Sequence, residues 1–230
     1  MFKKTVRWLI PEHFRKLLMN FKTLSKDYGQ WESIKRNMCI DAQKNPIPWY
    51  TYPAIEYLKQ LDISDKNVFE FGSGNSSLFW AVKAKEVISV EHNNEWYEIV
   101  SKNKLSNQQI VLFEKKQDYI SYIVKLNRKF DIIIIDGKYR LECAKNAIKY
   151  FKEGGMIILD NSDWFPETSE FLRSHDLIEV DFSGFGPINN YTWTTSLYFD
   201  RSFRFGTLSP IQPYPPIGGL KQSGENERHN

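Results

Sequence analysis

The stretch from Asn67 to Glu91, NVFEFGSGNSSLFWAVKAKEVISVE, constrains the fold more than any other part of the chain. Val68, Phe69 and Phe71 form a short apolar run suited to a buried parallel strand. Gly72 and Gly74 end it; without side chains they permit backbone angles closed to other residues and let a ligand lie directly on the main chain. Asn75, Ser76 and Ser77 are helix N-cap candidates, and Leu78, Phe79, Ala81 and Val82 supply the apolar face of the helix they would start. A second strand, Val87 to Val90, ends at Glu91. Free backbone N–H groups at the helix start would meet the polar end of a ligand.

Glu91 lies nineteen positions after Gly72, close to the roughly 20-residue spacing at which a carboxylate reaches ribose hydroxyls in Rossmann-type sites. A dinucleotide site asks for G-x-G-x-x-G, but Ser77 holds the third glycine position and Glu70 puts an acid directly before the turn. An anion there repels a pyrophosphate and suits a ligand with a cationic amino acid end.

Glu70-Phe71-Gly72-Ser73-Gly74 resembles motif I of the class I S-adenosylmethionine-dependent methyltransferases, and Glu91 resembles their ribose-binding acid. The resemblance runs from about Asn67 to Phe199. It implies cofactor contacts from Glu70, Gly72, Ser73, Gly74 and Asn75, from Glu91 and His92, and from Asp136. It continues with a third strand, Ile110 to Phe113, and then Lys116-Gln117-Asp118, where Gln117 or Asp118 would contact the adenine or, on the residues alone, cap a helix. His92 would sit near the adenine, act as a base, or serve only structure.

Phe130 to Asp136 is a β-branched hydrophobic run, too short for a membrane span, which reads as a central strand ending in a carboxylate. A helix with Leu141, Ala144, Ile148 and Phe151 on one face follows, stopped by Gly154-Gly155, and Met156 to Leu159 is another strand ending at Asp160-Asn161. In an open α/β sheet these strand ends meet at one crevice. The pattern is similar to the metal-dependent O-methyltransferases of the catechol and caffeoyl-CoA type, which implies Mg²⁺ held by Asp136, Asp160 and Asn161, binding an acceptor hydroxyl and lowering its pKa. Without a metal, Asp136 would hydrogen-bond the acceptor while Asp160 and Asn161 shape the following loop. Those relatives place a lysine three residues after the aspartate; here Lys138 comes after two and Tyr139 takes the third position. Asp136 and Lys138 are the catalytic candidates.

The expected fold is α/β: a Rossmann-like, seven-stranded, mostly parallel sheet with an antiparallel last strand, flanked by helices. Residues 1–45 would be an N-terminal helical extension, 46–204 the cofactor-binding domain and 205–230 an extended or disordered tail rich in Pro, Gly and Ser. In the extension, Phe14, Leu17, Leu18, Phe21 and Leu24 recur at helical spacing among many Lys and Arg. We expect a helix packed on the domain with a solvated basic face, the other reading being a peripheral membrane helix. Asn45 to Pro53 is an aromatic-rich linker whose Trp49, Tyr50 and Tyr52 either cap the ligand or pack the extension onto the sheet. With Asp27 to Trp31 it resembles the front end of methyltransferases encoded beside sugar and polysaccharide biosynthesis genes. The loop from Phe182 to Trp193, with Trp164 and Phe165, would line a substrate entrance or plug a hairpin.

A net charge of +3 and the lack of RNP, zinc-finger or basic-zipper patterns argue against a nucleic-acid partner. Cys39 and Cys143 read as reduced packing thiols, and the four His have no zinc spacing. Arg7, Pro11, Glu12 and Arg15 interrupt any signal-peptide core, so the expectation is a cytoplasmic protein without stable membrane insertion, with room for a homodimer. The function expected is O-methylation of a small hydroxylated acceptor, a sugar or glycan intermediate ahead of an aryl alcohol. The rivals are a non-catalytic cofactor-binding scaffold and an NAD-dependent oxidoreductase.

Overall fold

The computed structural model describes residues 10–220. Lys3, Lys4 and Arg7 of the basic segment, and the last ten residues of the expected tail, lie outside the described residues. The strands are β1 (Asn67–Phe71), β2 (Glu86–Glu91), β3 (Gln108–Leu112), β4 (Phe130–Ile135), β5 (Phe151–Leu159), β6 (Ile178–Gly184) and β7 (Trp193–Phe199). The α-helices are α1 (Glu12–Lys22), α2 (Gln30–Arg36), α3 (Tyr52–Lys59), α4 (Asn75–Ala81), α5 (Asn94–Ser101), α6 (Lys116–Leu126), α7 (Arg140–Ala147) and α8 (Pro166–Arg173).

The strands make one seven-stranded sheet in the order β3-β2-β1-β4-β5-β7-β6. β1 to β5 pair in parallel, and β7 runs antiparallel to both β5 and β6. Successive strand residues point to opposite faces, so the apolar runs split into two cores. Val68, Val87, Ile132, Ile134, Met156 and Ile158 pack with α3 and α4 on one face. Phe69, Phe71, Ile88, Val90, Ile133 and Ile135 pack with α6 and α7 on the other. Both thiols are free and buried. The chain order reverses between β1 and β4, which opens a crevice beyond their carboxyl ends.

Two expectations need correcting. Gly154-Gly155 does not stop a helix: α7 ends at Ala147, a 3-10 turn covers Ile148–Tyr150, and β5 already begins at Phe151. The glycine pair instead accommodates a register shift between β4 and β5; Gly154 has φ +76, and a Cβ on Gly155 would lie 2.4 Å from the Asp131 carbonyl oxygen. Second, α1 forms but is not packed on the domain. It has no buried residue, and Phe14, Leu17, Leu18 and Phe21 are between 47% and 64% exposed. The chain returns to the body only at the π-helical turn Thr23–Asp27, where Leu24 and Tyr28 reach the core. Of the two readings for the linker aromatics, Tyr50 and Tyr52 follow the packing one: both are buried in the core, and only Trp49 is exposed. Thr51 fixes this linker to the hairpin, its N–H donating to Thr195 Oγ1 (3.0 Å) and its hydroxyl to the Phe182 carbonyl (2.7 Å).

Residues 205–220 contain no helix or strand but are docked. Thr207 bridges to Leu61, the Tyr214 N–H donates to Gln60 Oε1 (3.1 Å), the Ile217 N–H to Glu56 Oε1 (3.4 Å), and Gly218 lies against Thr23. The Tyr28 hydroxyl donates to the same Glu56 oxygen. Among the described residues no helix is long and apolar enough to cross a membrane.

Candidate functional site

A cleft of about 380 Å³ opens at the β1/β4 switch point, lined by Gly72, Ser73, Ser76, Glu91, His92, Asn93, Trp96, Asp136 and Gly137. Its floor is the turn between β1 and α4. Gly72 adopts φ +109, and a Cβ there would meet the Gly137 backbone nitrogen at 3.3 Å, so the two strand ends can approach this closely only with glycine. The Gly72 N–H donates to the Val90 carbonyl and the Asp136 N–H to the Phe71 carbonyl, which ties β2, β1 and β4 together at the rim.

Glu91 is buried at the end of β2. Its Oε1 accepts from the His92 and Asn93 N–H groups (2.8 and 2.9 Å) and its Oε2 from the Ser73 hydroxyl (2.7 Å). A carboxylate so held is fixed in place and presents its charge to the cleft. His92 Nδ1 stands 3.1 Å from Glu91 Oε1; burial holds the imidazole below its ordinary pKa, and Lys138 pushes the same way against the Glu91 charge. Trp96 closes one side, its indole N–H donating to the Ser73 carbonyl (2.7 Å), with Asn93 Oδ1 accepting from the Trp96 N–H (2.9 Å) at the start of α5.

Glu70 lies outside the cleft lining. By strand alternation it shares the Val68 face, beneath α4, where Ser76, Ser77 and Ser89 donate to its carboxylate. Burial raises its pKa to about 7, with the three hydroxyls pulling downward. It reaches the cleft only through Ser76. Asn75, the first residue of α4, also turns away, its side-chain amide donating to the Cys39 carbonyl (2.7 Å). Gln117 and Asp118 are likewise absent from the lining: they open α6, and Asp118 pairs with Lys125 of the same helix (2.9 Å). Lys138 is exposed on the loop after β4.

Asp136, Asp160 and Asn161 do converge, but around an arginine. Arg140 begins α7 and spends all five of its N–H donors there. Nε donates to the Gly137 carbonyl (3.1 Å), one terminal nitrogen to the Asp160 carbonyl and to Asn161 Oδ1 (3.2 Å), and the other to Asp136 Oδ1 (3.2 Å) and Asn161 Oδ1 (3.1 Å). The guanidinium also lies 4.3 Å from the Phe165 ring centroid. Asp160 is buried, and its Oδ1 accepts from Trp193 Nε1 (3.0 Å) and the Thr195 hydroxyl (2.6 Å). Burial pushes Asp136 up to about 6 against the pull of Arg140; burial and the neighbouring Asp136 charge raise Asp160 well above the usual carboxylate range.

The implied Mg²⁺ does not fit this arrangement. Its three supposed ligands already hold a cation, and a dication would have to displace Arg140 from Asn161 and Asp136 and strip Asp160 of two side-chain donors. No group of three His, Cys, Asp or Glu that could hold a metal occurs among the described residues. The sequence reading missed Arg140, Trp96 and Ser76; for Arg140 the only local sign was an i, i+4 spacing from Asp136.

No protein-family profile matches the chain, and no curated protein is significantly similar to it. Solved structures are similar in fold. The O-methyltransferase TomG of Streptomyces achromogenes, involved in tomaymycin synthesis and solved with S-adenosylmethionine, superposes with a TM-score of 0.55 at 14% identity, covering 83% of this chain and 99% of TomG. An assigned O-methyltransferase of Klebsiella pneumoniae gives a TM-score of 0.51 at 16% identity over 59% of this chain and 73% of its own. The sheet order and helical layers are those of the class I methyltransferase fold.

Proposed function

We propose that this chain is an S-adenosylmethionine-dependent O-methyltransferase for a small hydroxylated acceptor and that it works without a divalent cation. The observation that carries the reading is the cleft at the β1/β4 switch point, floored by the Gly72-Ser73-Gly74 turn and edged by the buried, pre-oriented Glu91. The neighbouring fold in TomG holds S-adenosylmethionine, and the cofactor supplies an electrophilic methyl group on a sulfonium. Glu91 is the acceptor for ribose hydroxyls, and the glycine turn lets the ligand lie against the backbone. Gln117 or Asp118, at the start of α6, remains the proposed adenine contact.

Asp136 is the proposed proton acceptor. With a pKa near 6 it is ionised at neutral pH yet basic enough to take a proton from an acceptor hydroxyl. Arg140 orients it through Oδ1; Oδ2 accepts no hydrogen bond among the described residues and is the oxygen open to an acceptor. Positioning then supplies most of the rate gain. Lys138 is a weaker candidate for this role because it is exposed and outside the cleft lining. A sugar or glycan intermediate is the preferred acceptor, ahead of an aryl alcohol: Trp164 and Tyr191, ring centroids 6.1 Å apart and both about half exposed, stand beside the end of β5 and offer faces on which a sugar ring can stack.

Isothermal titration with S-adenosylhomocysteine tests the reading. Micromolar binding, unchanged by EDTA or added Mg²⁺, with no heat from NAD⁺, is the expected result; NAD⁺ binding or silence toward S-adenosylhomocysteine would sink it.

A further inference from the structure

The first helix carries an apolar face that no described residue buries. Phe14, Leu17, Leu18 and Phe21 recur at i, i+3, i+4 and i+7, which aligns them along one stripe of α1, and none is buried. On α2, Trp31 and Ile34 are also 61% and 49% exposed. Large apolar side chains grouped in water mark an interaction surface.

The charge on the same segment points to the partner. Residues 1–36 hold nine Lys or Arg against three Asp or Glu, leaving 22 against 25 in the rest of the chain. All three acids are already matched by bases, Glu12 by Lys16 (2.9 Å), Asp27 by Lys22 (3.5 Å) and Glu32 by Arg36 (3.0 Å), so the positive surplus is not offset within the segment. A second copy of the chain would bring two such positive segments together. A nucleic acid would meet the charge and leave the apolar stripe in water.

We propose that α1 docks flat on an anionic lipid bilayer, with Phe14, Leu17, Leu18 and Phe21 in the boundary between headgroups and acyl chains and the surrounding Lys and Arg on lipid phosphates. Such a surface satisfies the stripe and the charge together. The 11 residues of α1 reach about 16 Å at 1.5 Å per residue, half the thickness of a hydrocarbon core, so the helix lies on the bilayer and does not span it.

Co-sedimentation of the full chain with phosphatidylcholine vesicles, with and without phosphatidylglycerol, tests this. Binding should require the anionic lipid, falling at least about tenfold without it, and should weaken at 1 M salt, where the Debye length is about 3 Å. Leu17→Glu/Phe21→Glu should reduce partitioning at least about tenfold. Its thermal unfolding should match wild type, because Leu17 and Phe21 are both exposed. Lys26→Glu/Lys35→Glu, which leaves the stripe intact, should also weaken binding. The proposal is overturned by no binding to anionic vesicles, by equal binding to pure phosphatidylcholine, or by unchanged binding of the Leu17→Glu/Phe21→Glu variant. It is equally overturned if wild type self-associates with rising concentration and that variant does not, since a second copy would then cover the stripe.

Discussion

Replacing Arg140 by methionine removes the cation on which Asp136, Asp160 and Asn161 converge while keeping most of the side-chain volume. It leaves the partly buried Asp136 and the buried Asp160 without that counter-charge and strands three further acceptors, the Gly137 and Asp160 carbonyls and Asn161 Oδ1. Deleting one partner of a buried ion pair costs about 3–5 kcal/mol, and the Asp136 side chain is 20% exposed, which favours the lower end. With about 2–4 °C per kcal/mol for a chain of this size, Tm should fall by about 6–12 °C at pH 8. The loss should depend on pH with a definite sign. The folded-state pKa of Asp136 is raised, to about 6, so its favourable contribution is present at low pH and lost as the pH climbs through that value. Taking Arg140 away raises the folded pKa further, so the deficit is greatest at pH 8 and shrinks toward pH 5, where the carboxyls take up protons; Asp160, raised by burial, moves in the same direction. Urea titrations of both proteins at pH 5 and pH 8 measure this, and Arg140→Met/Asp136→Asn should recover about half of the loss at pH 8. A deficit that is equal at the two pH values, or under about 1 kcal/mol at pH 8, refutes the view that Arg140 is the counter-charge of these acids.

Glu91→Gln keeps the shape of the buried side chain but removes its charge; S-adenosylhomocysteine should bind at least about tenfold more weakly by calorimetry, a loss of about 1.4 kcal/mol, and unchanged affinity would remove the ribose assignment. Tyr119 is fully buried and its hydroxyl finds no hydrogen-bond partner among the described residues, so Tyr119→Phe should change stability by less than about 1 kcal/mol in chemical denaturation. A Cβ on Gly137 would sit 2.1 Å from that hydroxyl oxygen, so Gly137→Ala should destabilise by about 1–3 kcal/mol in wild type and by less in the Tyr119→Phe background; additive effects would show that the tyrosine is not the obstacle.

The glycine turn, Glu91 and the acids after β4 and β5 were legible because each is set by strand order and spacing, and the parallel sheet brings strand ends together without further instruction. What the sequence hid were facts of orientation. Glu70 sits next to the turn in the chain, but the two-residue period of β1 sends it under α4 to three serines that no local pattern links to it. Arg140 acquires its role only because the loops after β4 and β5 close around one guanidinium, and the acids that suggest a metal from their spacing are the same groups that satisfy that cation. Trp96 reads as an ordinary surface aromatic until α5 folds its ring against the Ser73 carbonyl. Helix α1 was legible as an amphipathic helix, but periodicity alone does not say against what the apolar face will rest.

Glu56 accepts from both the Tyr28 hydroxyl and the Ile217 N–H, and Gly218 lies against Thr23, so the joint below the first helix is a bracket made from segments on either side of the sheet in the chain. During synthesis the β1 to β5 part of the sheet emerges and can pair while half of that bracket has yet to be made. The contacts of Ile217 and Gly218 therefore form only after the segment that they hold has been made. A segment that follows the sheet thus braces one that precedes it.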